Sequence, residues 1–286
     1  MTTPRNIAQR FGSVSTLEGG GFPVRRPFPT ADLAFADPFM LLDHMGPKDW
    51  PPGEALGAPP HPHRGFQTVT YLLQGKFEHK DSAGHSGKLG PGDVQWMNAG
   101  SGAVHSELPE AEFKRQGGVL EGIQLWVNLP ASAKMSEPSY QEFPKEQLPE
   151  LTWPHAWARL IAGSLEGQQS PIQTTTPIFY AHVKLEAGAD LSLPLDAELT
   201  GYLYILHGQG RFGAELWNGE AGDWLVMGPG DEVALTAEEP CELLMLGAVP
   251  LNEPVARYGP FVMNSKSEIM QAIEDYESGK MGRIEP

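Results

Sequence analysis

The feature of this chain that most limits its fold is an internal repeat. A run of β-branched and aromatic residues ends at Gly75, and a Gly-Asp turn at Gly92 begins another apolar run 17 residues later. About 130 residues further along, the same features recur at Gly208 and Gly222, which are 14 residues apart. Such runs are typical of β-strands that end in turns. The repeat therefore predicts two similar β-domains produced by duplication.

The composition favours short strands over long helices. Glycine (33) and proline (27) together supply 60 of the 286 residues, or 21%, against about 12% in an average protein. Candidate strands such as 122–128 and 178–185 are separated by Gly, Pro and Asp turns. This pattern predicts an all-β protein built from two double-sheet sandwiches or barrels.

A stretch rich in Pro and Glu separates the two copies and predicts the domain bounds. We expect an N-terminal barrel over residues 1–135, a linker over 136–155, a C-terminal barrel over 156–264, and a helix with a tail over 265–286. The helix is indicated by a capping box followed by apolar residues at helical spacing, carried by Ser265, Glu268, Ile269, Met270, Ile273 and Tyr276.

Charge and cysteine usage exclude several classes of protein. Residues 1–135 carry 12 basic and 13 acidic side chains, whereas 136–286 carry 8 and 23, so the second half supplies nearly all of the net charge of −16. We expect no direct nucleic-acid binding, because no basic cluster could replace the counterions of a duplex. The single Cys241 forms no internal disulfide, and no apolar run reaches membrane-spanning length. We therefore expect a cytoplasmic protein with no membrane partner.

Two pairs of polar residues have the spacing of metal ligands. His61 and His63 are two residues apart, as are His105 and Glu107. In an extended strand, residues i and i+2 project from one face about 6.6 Å apart, so each pair could converge on one ion. Three imidazoles and one carboxylate suit a first-row divalent ion, and they would leave two positions of an octahedral ion open.

The repeat helps to separate a metal site from a structural role, because a lone His-x-His is more often accidental or structural. When the two copies are aligned on their glycines, none of the four candidate ligands recurs in the second copy. The residues placed opposite them are Pro194, Asp196, Leu235 and Ala237. Since packing histidines should survive in part in both copies, this loss favours a metal site in the first copy.

The remaining histidines and aromatic residues fit structural roles better. His79 and His85 lie in a polar hairpin, and we expect both side chains to be solvated. The other histidines have no neighbour at ligand spacing, and we interpret them as structural; they are His44, His155, His182 and His207. We expect the three residues Trp96, Met97 and Trp126 to lie in the core rather than to line a pocket.

Several segments of the chain resemble the pirin family of the cupin superfamily. They are Pro60-His61-Pro62-His63-Arg64-Gly65-Phe66, Gln95-Trp96-Met97-Asn98-Ala99-Gly100-Ser101-Gly102, Gln124-Leu125-Trp126-Val127-Asn128-Leu129-Pro130 and Gly259-Pro260-Phe261-Val262-Met263-Asn264. The resemblance implies a bicupin of two face-to-face β-barrels with one metal, usually iron, in the N-terminal barrel. It also implies that the metal ligands are His61, His63, His105 and Glu107. Gln67 stands where many members have Glu, but the residue at this position is not a metal ligand in this family.

The resemblance implies two alternative functions. Bacterial pirin-like proteins are associated with quercetin 2,3-dioxygenase activity, so one expectation is a dioxygenase acting on a flavonol or a related enol-bearing aromatic. Fe(II) is the expected ion, with Mn, Ni, Cu, Zn or Co as alternatives, and Glu107 would accept the flavonol proton. The other expectation is an iron-dependent, redox-sensing cofactor of transcription that binds a protein partner through its acidic C-terminal barrel. A purely structural metal is a third alternative.

Overall fold

The computed structural model describes residues 2–284. In this part of the chain it contains two α-helices, α1 (Ala111–Gln116) and α2 (Lys266–Glu277), and 26 strands. The strands are β1 (Ile7–Phe11), β2 (Val14–Glu18), β3 (Phe22–Phe28), β4 (Phe39–Trp50), β5 (Ala58–His63), β6 (Phe66–Gln74), β7 (Phe77–Asp81), β8 (Ser86–Leu89), β9 (Val94–Asn98), β10 (Ala103–Pro109), β11 (Gly118–Asn128), β12 (Ser139–Phe143), β13 (Glu150–Trp153), β14 (Ala156–Ala162), β15 (Ser164–Leu165), β16 (Gln168–Gln169), β17 (Ile178–Leu185), β18 (Ala189–Pro194), β19 (Thr200–His207), β20 (Gln209–Phe212), β21 (Trp217–Glu220), β22 (Trp224–Met227), β23 (Glu232–Ala237), β24 (Cys241–Ala248), β25 (Ala256–Tyr258) and β26 (Phe261–Met263).

The strands form two barrels that repeat one sheet order. The N-terminal barrel consists of a seven-stranded sheet, β12-β9-β6-β11-β4-β3-β2, and a four-stranded sheet, β5-β10-β7-β8. The C-terminal barrel consists of the sheets β1-β22-β19-β24-β17-β14-β13 and β18-β23-β20-β21. The two orders correspond strand by strand, which confirms the predicted all-β duplication with a C-terminal helix.

The chain is divided between the barrels in a way that differs from the predicted bounds. The N-terminal barrel unit consists of residues 15–26, 38–145 and 251–284, and the C-terminal barrel unit of 2–14, 27–37 and 146–250. The predicted linker supplies β12 to one sheet, where it pairs with β9, and β13 to the other, where it pairs with β14. The physical reason is that both strands satisfy their backbone groups by extending existing sheets.

The C-terminal helix begins as predicted. Ser265 caps α2, accepting a hydrogen bond from the backbone N–H of Glu268, and the Glu268 carboxylate accepts one from the backbone N–H of Asn264. This arrangement satisfies amide groups that the first turn of a helix leaves without partners. The predicted apolar stripe is partly wrong, because Met270 and Tyr276 are 65% and 39% exposed. The buried face carries Ile269, as predicted, together with Ala272 and Asp275.

Candidate metal centre

The candidate ligands lie on two neighbouring strands. Strand β5 is the edge of its four-stranded sheet and tolerates several prolines because one side of an edge strand donates no ladder hydrogen bonds. It pairs with β10 so that His61 lies opposite His105 and His63 lies opposite Ala103. Opposed residues in an antiparallel pair share a face. The three imidazoles therefore project from one side of the sheet, as the residue spacing predicts.

The three rings converge through their Nε2 atoms. Nε2 of His61 lies 3.0 Å from Nε2 of His63 and 3.0 Å from Nε2 of His105. Two imidazole nitrogens bound at right angles to one ion, each at about 2.1 Å, would lie about 3.0 Å apart. The separations thus fit adjacent positions around a single divalent ion.

Backbone carbonyl groups face the Nδ1 atoms of two of the rings. Nδ1 of His61 lies 2.8 Å from the Pro59 carbonyl oxygen, and Nδ1 of His63 lies 3.5 Å from that of Pro260. A proton on each Nδ1 would be directed at a carbonyl oxygen and would leave a lone pair on each Nε2. Two such lone pairs at 3.0 Å repel each other unless a cation lies between them, so the donor set fits a metal ion.

Burial keeps two of these imidazoles neutral. His63 is 3% exposed and His105 is fully buried. Burial is the main cause that holds the pKa of His63 well below its ordinary value, and nearby His61 adds to it. Burial, with the neighbouring His63 and His61, lowers the pKa of His105 in the same direction. Neutral imidazole is the form that binds metals.

Glu107 lies beside the three imidazoles but outside their cluster. A register shift between His105 and Glu107 places Glu107 opposite Ala58 of β5 and His79 of β7. The nitrogen atoms of the three histidines all lie within 4.8 Å of one another, and the Glu107 carboxylate is not among the atoms that do. Its Oε1 accepts a hydrogen bond of 2.7 Å from the Thr70 hydroxyl. Its role as a ligand therefore stays a prediction.

His61 and His63 open onto a cavity of about 480 Å³ within the N-terminal barrel unit, a volume typical of small-molecule sites. Glu107 and Gln124 also line it. Much of the remaining wall is apolar and comes from separate strands, with Phe22, Leu41, Met45, Phe77 and Trp126.

The position of Trp126 corrects the prediction that it belongs to the core. Its ring centroid lies 5.1 Å from that of His63, and the Arg257 guanidinium lies 4.8 Å from the ring on the cavity wall. The other two residues of that prediction, Trp96 and Met97, are buried as expected. Strand alternation alone does not distinguish a barrel interior that is filled from one that is open.

The cavity wall also carries a charged cluster that the sequence did not predict. Arg26 donates from Nε to the Asp43 carboxylate at 2.7 Å, and its Nη2 lies 2.5 Å from a Glu18 carboxylate oxygen. Burial raises the pKa of Asp43, although the Arg26 guanidinium opposes the effect. These residues come from β2, β3 and β4, and their spacing in sequence gives no signal. A planar ligand in the cavity would therefore meet polar as well as apolar walls.

The hairpin histidines differ from the prediction in one of two cases. His85 is exposed as expected, with 61% of its side chain accessible. His79 is 2% exposed, forms a close pair with the Glu142 carboxylate, and stacks on Tyr140 at 5.7 Å. It is buried because β12, which lies in the predicted linker, adds to the seven-stranded sheet and places Tyr140 and Glu142 against this side of the hairpin.

The strand registers correct the alignment of the two copies. Glu107 lies opposite His79, and Leu235 lies opposite Phe212. His79 and Phe212 are each the fourth residue after the glycine that ends the preceding strand, so Leu235 is the equivalent of Glu107, and Val233 that of His105. Val233 lies opposite Leu193, so the equivalents of His61 and His63 are Leu193 and Leu195, not Pro194 and Asp196. The glycine alignment fails because the number of residues between each glycine and the neighbouring strand differs between the two copies. Val233 and Leu235, not Leu235 and Ala237, therefore correspond to His105 and Glu107.

Comparison with known proteins places the chain among relatives of the same architecture. Residues 21–127 match the Pirin family model, and residues 180–282 match the Pirin C-terminal cupin domain model. A pirin-like protein of Solanum lycopersicum is 41% identical over 98% of this chain and 94% of its own length. A Pseudomonas aeruginosa protein named as a candidate quercetin 2,3-dioxygenase is 44% identical over 93% of this chain and 94% of its own length.

A solved structure extends the likeness to three dimensions. The crystal structure of quercetin 2,3-dioxygenase from Acinetobacter baumannii superposes with a TM-score of 0.92 at 36% identity, covering 99% of this chain and 100% of the other. Neither helix within residues 2–284 is long and apolar enough to cross a membrane. The sheet order, the two family models and the full-length relatives agree, and the chain belongs to the pirin family.

Proposed function

We propose that this protein is a metal-dependent dioxygenase of the quercetin 2,3-dioxygenase type, acting on a flavonol or a related enol-bearing aromatic. The observation that carries the proposal is the convergence of three imidazoles beside a largely apolar cavity of about 480 Å³. The names of the Pseudomonas and Acinetobacter relatives support the same reaction class.

The metal would be held by His61, His63, His105 and Glu107, with Fe(II) as the expected ion. When bound, the ion would supply Lewis acidity and redox chemistry toward the substrate oxygens and dioxygen. The carbonyl partners of His61 and His63 hold those two rings with Nε2 facing inward. The chain thus supplies a preorganised set of donors, as metal sites require.

Glu107 is the group best placed to take the substrate proton. Its carboxylate lines the cavity, and one oxygen is occupied by the Thr70 hydroxyl. The Thr70 bond would fix the carboxylate in one orientation while its other oxygen accepts the enol proton of the substrate. Trp126 and Phe22 on the cavity wall would pack against the flat aromatic rings and exclude water.

The proposal is tested by an aerobic assay of the iron-loaded protein with quercetin, which follows the loss of flavonol absorbance and the release of carbon monoxide. We expect turnover that falls by more than about 100-fold in Glu107→Gln, because a positioned base contributes about 10²–10⁴-fold. Thr70→Val is the companion variant, and it should reduce turnover less. If the protein demonstrably holds iron but does not turn over quercetin, the dioxygenase proposal is rejected. The alternative, an iron-dependent binding protein, would then be favoured.

A further inference from the structure

We propose that the ion pair between Arg64 and Asp275 is a positioning device of the metal centre, through which helix α2 holds the two ligand-bearing segments in register. Arg64 directly follows the ligand His63, and Asp275 lies on the buried face of α2. The inference rests on the proposed metal site, and it assigns that site two residues that do not touch the metal.

Arg64 connects three segments at once. Its guanidinium Nη1 donates to the Asp275 carboxylate at 2.9 Å, and its Nε donates to the Ser101 carbonyl oxygen at 2.7 Å. Ser101 lies in the turn that leads into β10, the strand of His105. One side chain therefore joins the end of β5, the start of β10 and helix α2, and it does so while only 4% exposed.

The chain before α2 reinforces the same turn. The Val262 amide donates to the Arg64 carbonyl oxygen at 3.1 Å. Lys134 donates from Nζ to the carbonyl oxygens of Gly65 and Val262, at 2.8 and 3.0 Å. The carbonyl of Pro260 faces Nδ1 of the ligand His63. The C-terminal segment thus supplies one orienting acceptor of a ligand directly and fixes the turn beside that ligand.

The environment of Asp275 indicates more than helix anchoring. Besides Arg64, its carboxylate accepts hydrogen bonds from Gln271 at 2.9 Å and from Lys280 at 2.7 Å. These donors, Lys280 foremost, hold the pKa of Asp275 well below its ordinary value, so it stays ionised. An apolar residue would anchor α2 equally well, because Ile269 and Ala272 already do so on the same face. A charge here instead selects one orientation of Arg64.

The expected consequence is on metal affinity. Partners that orient metal ligands are worth about 10–100-fold in affinity. Asp275→Asn keeps the size and an acceptor but removes the charge that holds Arg64, so the turn after the strand of His63 and the turn before the strand of His105 gain freedom. We expect metal to bind about tenfold more weakly. The matched control is Glu274→Gln, an exposed carboxylate on the same helix, which should leave the affinity unchanged within about twofold.

The experiment measures binding of Co(II) and Fe(II) to the full chain by competition with a chelator, together with the Co(II) visible spectrum and the melting temperature of the metal-free protein. We expect Asp275→Asn and Arg64→Lys to lower affinity and to broaden the Co(II) spectrum, with partial rescue in Asp275→Glu. If both variants lower the melting temperature but bind metal with unchanged affinity and spectrum, the pair is only structural. If the wild type binds no metal, the proposed function itself fails.

Discussion

The two barrels share one sheet order but differ in what fills the corresponding positions of their smaller sheets. In the N-terminal barrel these positions carry His61, His63, His105 and Glu107, which lie at or beside a cavity. In the C-terminal barrel the equivalents are Leu193, Leu195, Val233 and Leu235, which belong to a continuous apolar core. The sheet order therefore does not depend on the residues of the candidate metal site. Four positions thus distinguish a barrel with a candidate metal site from a barrel that fills its own interior.

The connection that follows β5 in the N-terminal barrel also differs from the one that follows β18 in the C-terminal barrel. In the N-terminal barrel it is the tight turn Arg64-Gly65, where a Cβ on Gly65 would collide with the Val262 carbonyl oxygen. In the C-terminal barrel it is the longer stretch 195–199. The short turn keeps His63 close to the C-terminal segment, whereas the leucine at the same position needs no such support.

Converting the N-terminal barrel toward its counterpart should have the largest effect. His63→Leu introduces the residue type that stands at the equivalent position, Leu195, and it removes one of the three converging nitrogens. We expect bound metal to fall from one ion per chain to a trace, a loss of more than about 100-fold in affinity. Elemental analysis after dialysis measures this. The control is His155→Asn, an exposed histidine with positive φ that Asn tolerates. Full metal content in His63→Leu would show that the ligands lie elsewhere.

The reverse change tests the C-terminal barrel. Leu235→His places an imidazole at the position equivalent to Glu107, inside an apolar core and without a partner. We expect the free energy of unfolding to fall by about 2–3 kcal/mol, the cost of burying an unsatisfied polar group. Urea unfolding measures it. Leu216→His is the matched control, because Leu216 is 41% exposed and should change stability by less than about 0.5 kcal/mol. An equal loss in both variants would contradict a packed interior.

The same substitution can be made at a turn glycine in each barrel, Gly65 and Gly188. Gly65 and Gly188 both have φ of 85°, but space around Gly188 is open whereas Gly65 abuts the Val262 carbonyl. Alanine at either site is strained by its positive φ, at about 1 kcal/mol. Gly65→Ala must also displace the C-terminal segment, so we expect it to cost about 2 kcal/mol more than Gly188→Ala by urea unfolding. Equal costs would mean that backbone strain alone requires glycine.

The smallest expected effect concerns Lys134, the one lysine buried within residues 2–284. Burial lowers its pKa to about 8, from 10.5 in the unfolded chain. Between these values the unfolded chain binds more protons, so the free energy of unfolding rises with pH. We expect the free energy of unfolding to rise by about 1 kcal/mol between about pH 7.5 and 9.5. The rise is smaller than burial alone would give, because three oxygen acceptors favour the charged form of the lysine. Urea unfolding of the wild type and of Lys134→Met across this pH range should show the rise only in the wild type.

Local patterns predicted the duplicated strands well, and contacts between distant segments explain where prediction failed. The strand 178–185 was predicted with both ends correct, because a short run with β-branched and aromatic residues, bounded by turn residues, favours a strand. Trp126 and His79 were misassigned because their surroundings come from other parts of the chain. Trp126 faces the cavity beside Arg257, and His79 is covered by β12. No spacing within either strand encodes these neighbours.

The amino-acid sequence by itself determined the all-β duplication, the pairs His61/His63 and His105/Glu107, and the capped C-terminal helix, because alternation, turn chemistry and capping act over a few residues. The register of β5 against β10, the cavity and the tie from Asp275 to Arg64 were decided only by the tertiary structure. Each of these joins residues that are far apart along the chain, and their contacts form only when the whole barrel closes.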